Sequence, residues 1–170
     1  MTAATVTFEN KTDSQTPPGT TNTTRASDYN QLKAAANDHA SRLDQIQSQS
    51  PGAPNFSVGA QSGDVINVII GLRDSDNQPV TDERVVQIYI SDDAAGAGLT
   101  ATAADSISIG TDGTILIEQE TGKWVHVESE ANGDIDLDIE FTSSGTRYVV
   151  LITSRGKKYV SSSMVYVSAV

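Results

Sequence analysis

Residues 134–141 read Asp-Ile-Asp-Leu-Asp-Ile-Glu-Phe. Acid and hydrophobe alternate without a break, and a period of two marks a strand with one buried face, because successive side chains leave a pleated chain on opposite sides. Ile135, Leu137, Ile139 and Phe141 are expected to face a core. Asp134, Asp136, Asp138 and Glu140 are expected to form a solvated stripe.

Outward from this stretch the same grammar repeats. Upstream, KWVHVES (123–129) places Trp124, His126 and Glu128 on one face, and Ala131-Asn132-Gly133 offers a hairpin-type turn into 134–141. SISIG (106–110) and TILIE (114–118) flank Thr111-Asp112-Gly113, where Asp-Gly is a tight-hairpin signal. RVVQIYIS (84–91) alternates through Val86, Ile88 and Ile90, and VINVIIGLRD (65–74) is a long apolar strand ending in the polar turn 75–79. An Ala- and Gly-rich loop occupies 92–106. Downstream, RYVVLIT (147–153) turns through Ser154-Arg155-Gly156 into KKYVSSSMVYV (157–167). Seven to eight strands and no helix over residues 56–170 predict an Ig-like antiparallel β-sandwich, in a mainly β chain. With no cysteine, no disulfide and no thiol-rich metal site is possible.

Composition restricts function. The apolar fraction is 37%, low for a fully globular chain of this length, and the shortfall is concentrated in the first third. Residues 1–50 hold four cations against five anions. Residues 51–170 hold seven against seventeen, which is −10 of the chain's net −11. So acidic a domain repels phosphate backbones, so no nucleic-acid partner is expected. The N-terminus carries no signal-peptide pattern, and no apolar run is long enough to span a membrane.

Residues able to do chemistry are few. Asp134, Asp136 and Asp138 lack the glycine and terminal glutamate of a calcium loop, and the apolar residues between them demand a strand. Asp74-Ser75-Asp76-Asn77 reads as a cation turn or, equally well, as a polar hairpin. The two histidines, His39 and His126, stand far apart in sequence. No phosphate loop, zinc spacing or nucleophile elbow is present, so no catalytic residue, metal or cofactor is expected.

Residues 1–26 form a Thr-rich arm interrupted by Pro17-Pro18-Gly19. It reads either as a disordered tail or as an extended arm docked on another subunit, with Val6 and Phe8 as anchors and Pro17 and Pro18 within the docking segment. Residues 27–47 read as a helix. Asp28 suits its positive end, and Gln31 follows at capping-box spacing. Tyr29, Leu32, Ala36, His39, Leu43 and Ile46 recur at spacings of three and four, the seam of a short coiled coil. A helix of about 30 Å is marginal alone. It therefore packs either on its own β domain or in a bundle of copies. A lone histidine in such a seam is first a polar register-setter. Residues 48–55, SQSPGAPN, read as a Pro/Gly hinge.

Two stretches together resemble structural proteins of tailed bacteriophages. TTRASDYNQLKAAANDHASRLDQI (23–46) is similar to the N-terminal attachment and stalk segments of trimeric fibre and decoration proteins. The second resemblance rests on Ser91-Asp92-Asp93, Gly110-Thr111-Asp112-Gly113, Ser129-Glu130-Ala131, Gly133-Asp134-Ile135-Asp136-Leu137 and Tyr148 to Lys157. These are similar to marks of a β-sandwich module in phage structural proteins. The resemblance implies a virion component, a homotrimer held on the particle by its N-terminus, and leaves its place on the particle open. The leading expectation is a capsid decoration protein or head fibre on the capsid exterior, anchored on the major capsid protein or another virion protein and assembled in the host cytoplasm. Contact of the sandwich with the host surface follows as a further expectation. A tail fibre binding a host receptor is the alternative. Its weakness is an aromatic content of 5%, low for stacking sugars.

Overall fold

The computed structural model describes residues 26–48 and 51–167, with side chains given for 29–43 of the helix and throughout 51–167. Val6, Phe8, Pro17 and Pro18, and with them the expected arm, lie outside the described residues, as does the side chain of Ile46. The chain divides into two compact units, Met1–Ser50 and Pro51–Val170.

In the first unit, helix α1 spans Ala26–Ser48. Ala34, Ala35 and Ala36 favour it intrinsically. Arg42 and Asp38 form an i,i+4 pair at 3.1 Å on its surface. The acid lies N-terminal to the base, the orientation that suits the helix dipole.

In the second unit ten strands form two antiparallel sheets: β1 (Asn55–Val58), β2 (Val65–Gly71), β3 (Val85–Ser91), β4 (Ser106–Ile109), β5 (Thr114–Glu120), β6 (Trp124–Glu128), β7 (Asp134–Glu140), β8 (Gly145–Ile152), β9 (Lys158–Val160) and β10 (Met164–Tyr166). The four-stranded sheet has the order β1-β2-β7-β4. The six-stranded sheet has the order β10-β8-β3-β6-β5, with β9 also on β8. Both inner faces feed one core. Ile66, Val68 and Ile70 of β2 and Ile135, Leu137 and Ile139 of β7 meet Val86, Ile88 and Ile90 of β3, Val125 and Val127 of β6, and Val149 and Leu151 of β8. The domain is an antiparallel β-sandwich, Ig-like in its architecture. At one end Tyr166 ties the layers together. Its hydroxyl donates to the Ile139 carbonyl at 2.8 Å, and its ring lies 5.0 Å from that of Phe141.

Four expectations need correction. Asp112-Gly113 and Asn132-Gly133 do not close hairpins, because β4 and β7 lie in one sheet while β5 and β6 lie in the other. Each turn carries the chain from layer to layer. The tight hairpin is instead β5–β6, through residues 121–123. Gly122 sits there at a φ of +66°, where a Cβ would stand 2.2 Å from the Ala104 carbonyl oxygen. Residues 157–167 are two strands, not one: β9 pairs with the C-terminal half of β8 and β10 with its start, and the register shifts between them. At the break the Ser161 hydroxyl accepts the Val149 amide at 2.9 Å. Finally, only residues before 51 are left for the expected hinge of 48–55. Gly52 donates to the Arg73 carbonyl at 2.7 Å, Pro51 bridges Asp74, and Asn55 opens β1.

Candidate functional site

Two regions carry the residues that sequence reasoning singled out. The first is the helix seam. Leu32 is 69% exposed and Leu43 53% exposed. His39 is exposed as well, while Tyr29 and Ala36 are half-buried. Two large aliphatics left in solvent at coiled-coil spacing are costly for a lone helix, because each forgoes about 1.5–3 kcal/mol of burial.

The acid stripe of β7 is not the solvated face that alternation predicts. Asp136 is only 7% exposed. Its carboxylate accepts the Thr111 amide at 3.1 Å and the Thr111 hydroxyl at 2.9 Å. Asn67 of β2 donates its amide to Asp136 and, at 2.9 Å, to Asp138. The backbone closes the same knot, with Gly110 donating to the Asp136 carbonyl and the Asp136 amide donating to that of Asp112. This acid therefore holds the β4–β5 crossover in place. The Asp74 carboxylate likewise serves a turn, accepting the amides of Asp76 and Gln78 at 2.9 and 2.8 Å. Among the described residues no group of three or more His, Cys, Asp or Glu side chains could hold a metal ion.

The second region is the outer face of the six-stranded sheet. Register places Ile117 of β5, His126 of β6, Gln87 of β3 and Ile152 of β8 side by side in one row. Trp124 stands one row away, its ring 6.3 Å from that of His126. The loop of residues 92–100 covers the far part of this face. Its Gly96 carbonyl accepts from the Tyr89 hydroxyl at 2.6 Å and from Lys158 Nζ at 3.0 Å. What stays open is a depression of about 510 Å³ lined by Val85, Gln87, His126, Ile152, Ser154 and Gly156. It adjoins, through Ile152, an apolar notch of about 140 Å³ beside Trp124 and Leu99. Sequence alternation had put Trp124, His126 and Glu128 on one face. It missed Gln87, Ile152 and Ser154, which come from strands that only tertiary pairing brings alongside.

No family model and no curated protein matches the chain. Among solved structures it is similar to a cohesin module from the family 33 glycoside hydrolase of Clostridium perfringens. That likeness has 15% identity and a TM-score of 0.30 over 69% of this chain and 96% of that one. No helix among the described residues is long and apolar enough to cross a membrane.

Proposed function

We propose that this chain is a non-enzymatic structural component of a phage virion, a homotrimeric capsid decoration protein or head fibre. Residues 1–26 dock on the shell, residues 27–47 bundle around a shared axis, and the acidic sandwich is displayed outward. The observation that carries this reading is the helix seam: Leu32 and Leu43 stand in solvent at heptad spacing, an arrangement that copies of the same helix would bury. The phage resemblance supplies the count of three and the particle. Three weak arms on one trimer would bind the shell through avidity, without any single strong contact. A net −10 on the displayed domain keeps neighbouring copies from aggregating at high density.

Sedimentation equilibrium tests the assembly. The full chain should sediment as a trimer, and Leu32→Asp with Leu43→Asp should give a monomer with unchanged β-sheet circular dichroism. A wild-type monomer at every concentration would refute the bundle. On shells stripped of this protein, the full chain should bind and a chain starting at residue 27 should not.

A further inference from the structure

We propose that the open depression on the six-stranded sheet receives a basic side chain of a partner protein, the aliphatic stem of an arginine or lysine lying on Val85 and Ile152 and its cation meeting the Glu128 carboxylate. The inference rests on the sandwich alone and stands whether or not the helices bundle.

Register fixes where that carboxylate stands. Val125 and Val127 point into the core, so Trp124, His126 and Glu128 share the outer face of β6. Val85 lies directly opposite Glu128 in the β3–β6 pairing, which sets their Cβ atoms about 4.5–5.5 Å apart. Val85 and His126 both line the depression. The acid is therefore at its margin, one cross-strand neighbour from the floor. The floor itself holds no carboxylate: it is Val85, Ile152, the Gln87 amide and the His126 ring, with Ser154 and Gly156 at one end. Apolar surface continues beside it. Ile117, the register partner of His126, is 55% exposed, and Val85 is 46% exposed.

Charge selects the occupant. Glu128 is half-buried, yet among the described residues its carboxylate has neither an ion pair nor a hydrogen bond. The nearby cations are engaged elsewhere. Lys123, just before β6, pairs with Glu120 at 3.0 Å, and Arg84, just before Val85, pairs with Asp82 at 2.6 Å. Lys158, opposite Ile152, donates to the Gly96 carbonyl at 3.0 Å. Arg155 sits on the β8–β9 turn, with the whole of β3 between it and β6. A half-buried carboxylate beside apolar surface, with its own chain's cations turned away, is completed by a charge-assisted bond from outside. The stem of the incoming residue covers apolar surface that water now touches, as long basic side chains do. The net −10 of residues 51–170 draws cationic partners toward the domain. A second copy fits less well as occupant, because it brings another −10 to the contact.

The test is an NMR titration of the full chain with the capped pentapeptide Ser-Leu-Arg-Leu-Ser, and in parallel with the same peptide carrying citrulline, which keeps the stem but not the charge. The arginine peptide should shift the ring-proton signals of His126 saturably while leaving those of His39 in place, and its binding should weaken as salt is raised. Glu128→Gln should weaken binding about tenfold as one charge-assisted contact is lost, with an unchanged melting midpoint confirming the fold. Glu140→Gln, on β7 in the other sheet, removes the same charge and should leave the affinity as it is. No saturable shift, equal binding of the citrulline peptide, or full affinity in Glu128→Gln would overturn the proposal. So would an equal loss in Glu140→Gln, which reduces the effect to net charge, or a His126 shift that follows protein concentration alone, which assigns the face to a second copy.

Discussion

The Asp92 carboxylate accepts the Thr100 hydroxyl at 2.7 Å and the Ala101 amide at 2.8 Å. Arg147 Nε lies 3.1 Å away as an ion pair outside hydrogen-bond geometry, its guanidinium stacked 5.2 Å over the Phe141 ring. Partial burial alone would raise the pKa of Asp92. The two hydrogen bonds and the charges of Arg147 and Lys123 outweigh it and hold the group below its ordinary value. The sign of its pH effect follows. The folded chain holds this proton less tightly than the unfolded one, so the stabilisation is complete above the unfolded-chain value, about 3.9. It is lost as pH falls through the lower, folded value. Asp92→Asn should therefore lower the urea midpoint at pH 7, and the gap to wild type should narrow below about pH 4. Equal gaps at pH 7 and pH 3 would show that the charge is not involved. Asp136 marks how far reading residue by residue extends. Alternation located Ile135, Leu137 and Ile139 in the core because burial of one face is a local property. It placed Asp136 in solvent because nothing local announces that Thr111, 25 positions away, will cover it.

Among the elements, strands were legible and their connections were not. Eight expected runs, most of them alternating and the rest apolar throughout, covered nine of the ten observed strands, with β9 and β10 merged into one, and left out β1, whose four residues (NFSV) show no such pattern. Asp112-Gly113 and Asn132-Gly133 have hairpin chemistry, yet a turn that reverses the chain within a sheet and one that passes it to the facing sheet use the same residues. What decides is which partner the next strand finds: β5 pairs with β6, not with β4. The true hairpin has a sharper requirement. At Gly122 a side chain would meet both a left-handed backbone, worth about 1–2 kcal/mol, and the Ala104 carbonyl oxygen. Gly122→Ala should cost about 2 kcal/mol or more, read from urea denaturation, whereas a loss under about 0.5 kcal/mol would mean the hairpin shifts freely. The helix followed its sequence more closely, with an expected span of 27–47 against an observed Ala26–Ser48. The expected seam rests on heptad spacing, which is local. Which surface covers that seam is not, because the answer lies outside the helix.

At the scale of the molecule, the sandwich is built from distant partners. The chain changes sheet on going from β2 to β3, β3 to β4, β4 to β5, β6 to β7 and β7 to β8, so the four-stranded layer is not complete until β7 has been placed and the six-stranded layer not until β10. Loop closure must precede the contacts that reward it. Refolding from urea, followed through the one tryptophan, Trp124, should fall in the millisecond-to-second range and not in microseconds; a phase complete within the dead time of stopped flow would contradict this. The overall class was readable because composition and alternation are summed over many residues. The groove on the six-stranded sheet was not, because it is assembled across β3, β6 and β8. The edge where the chain enters the sandwich has a mechanical meaning. Strand β1 runs antiparallel to β2 with Asn55 opposite Gly71, and residues 59–64 close the hairpin at the other end. A pull on Pro51 directed away from the β2 edge meets Gly52 and Asn55 first and loads their hydrogen bonds in turn. Shear between β2 and β7 would engage seven register pairs at once, whereas four hold β1 on β2. Under a pull directed away from the sheet edge the entry strand is a zipper: the domain would lengthen by peeling β1, absorbing the load while its core strands stay paired.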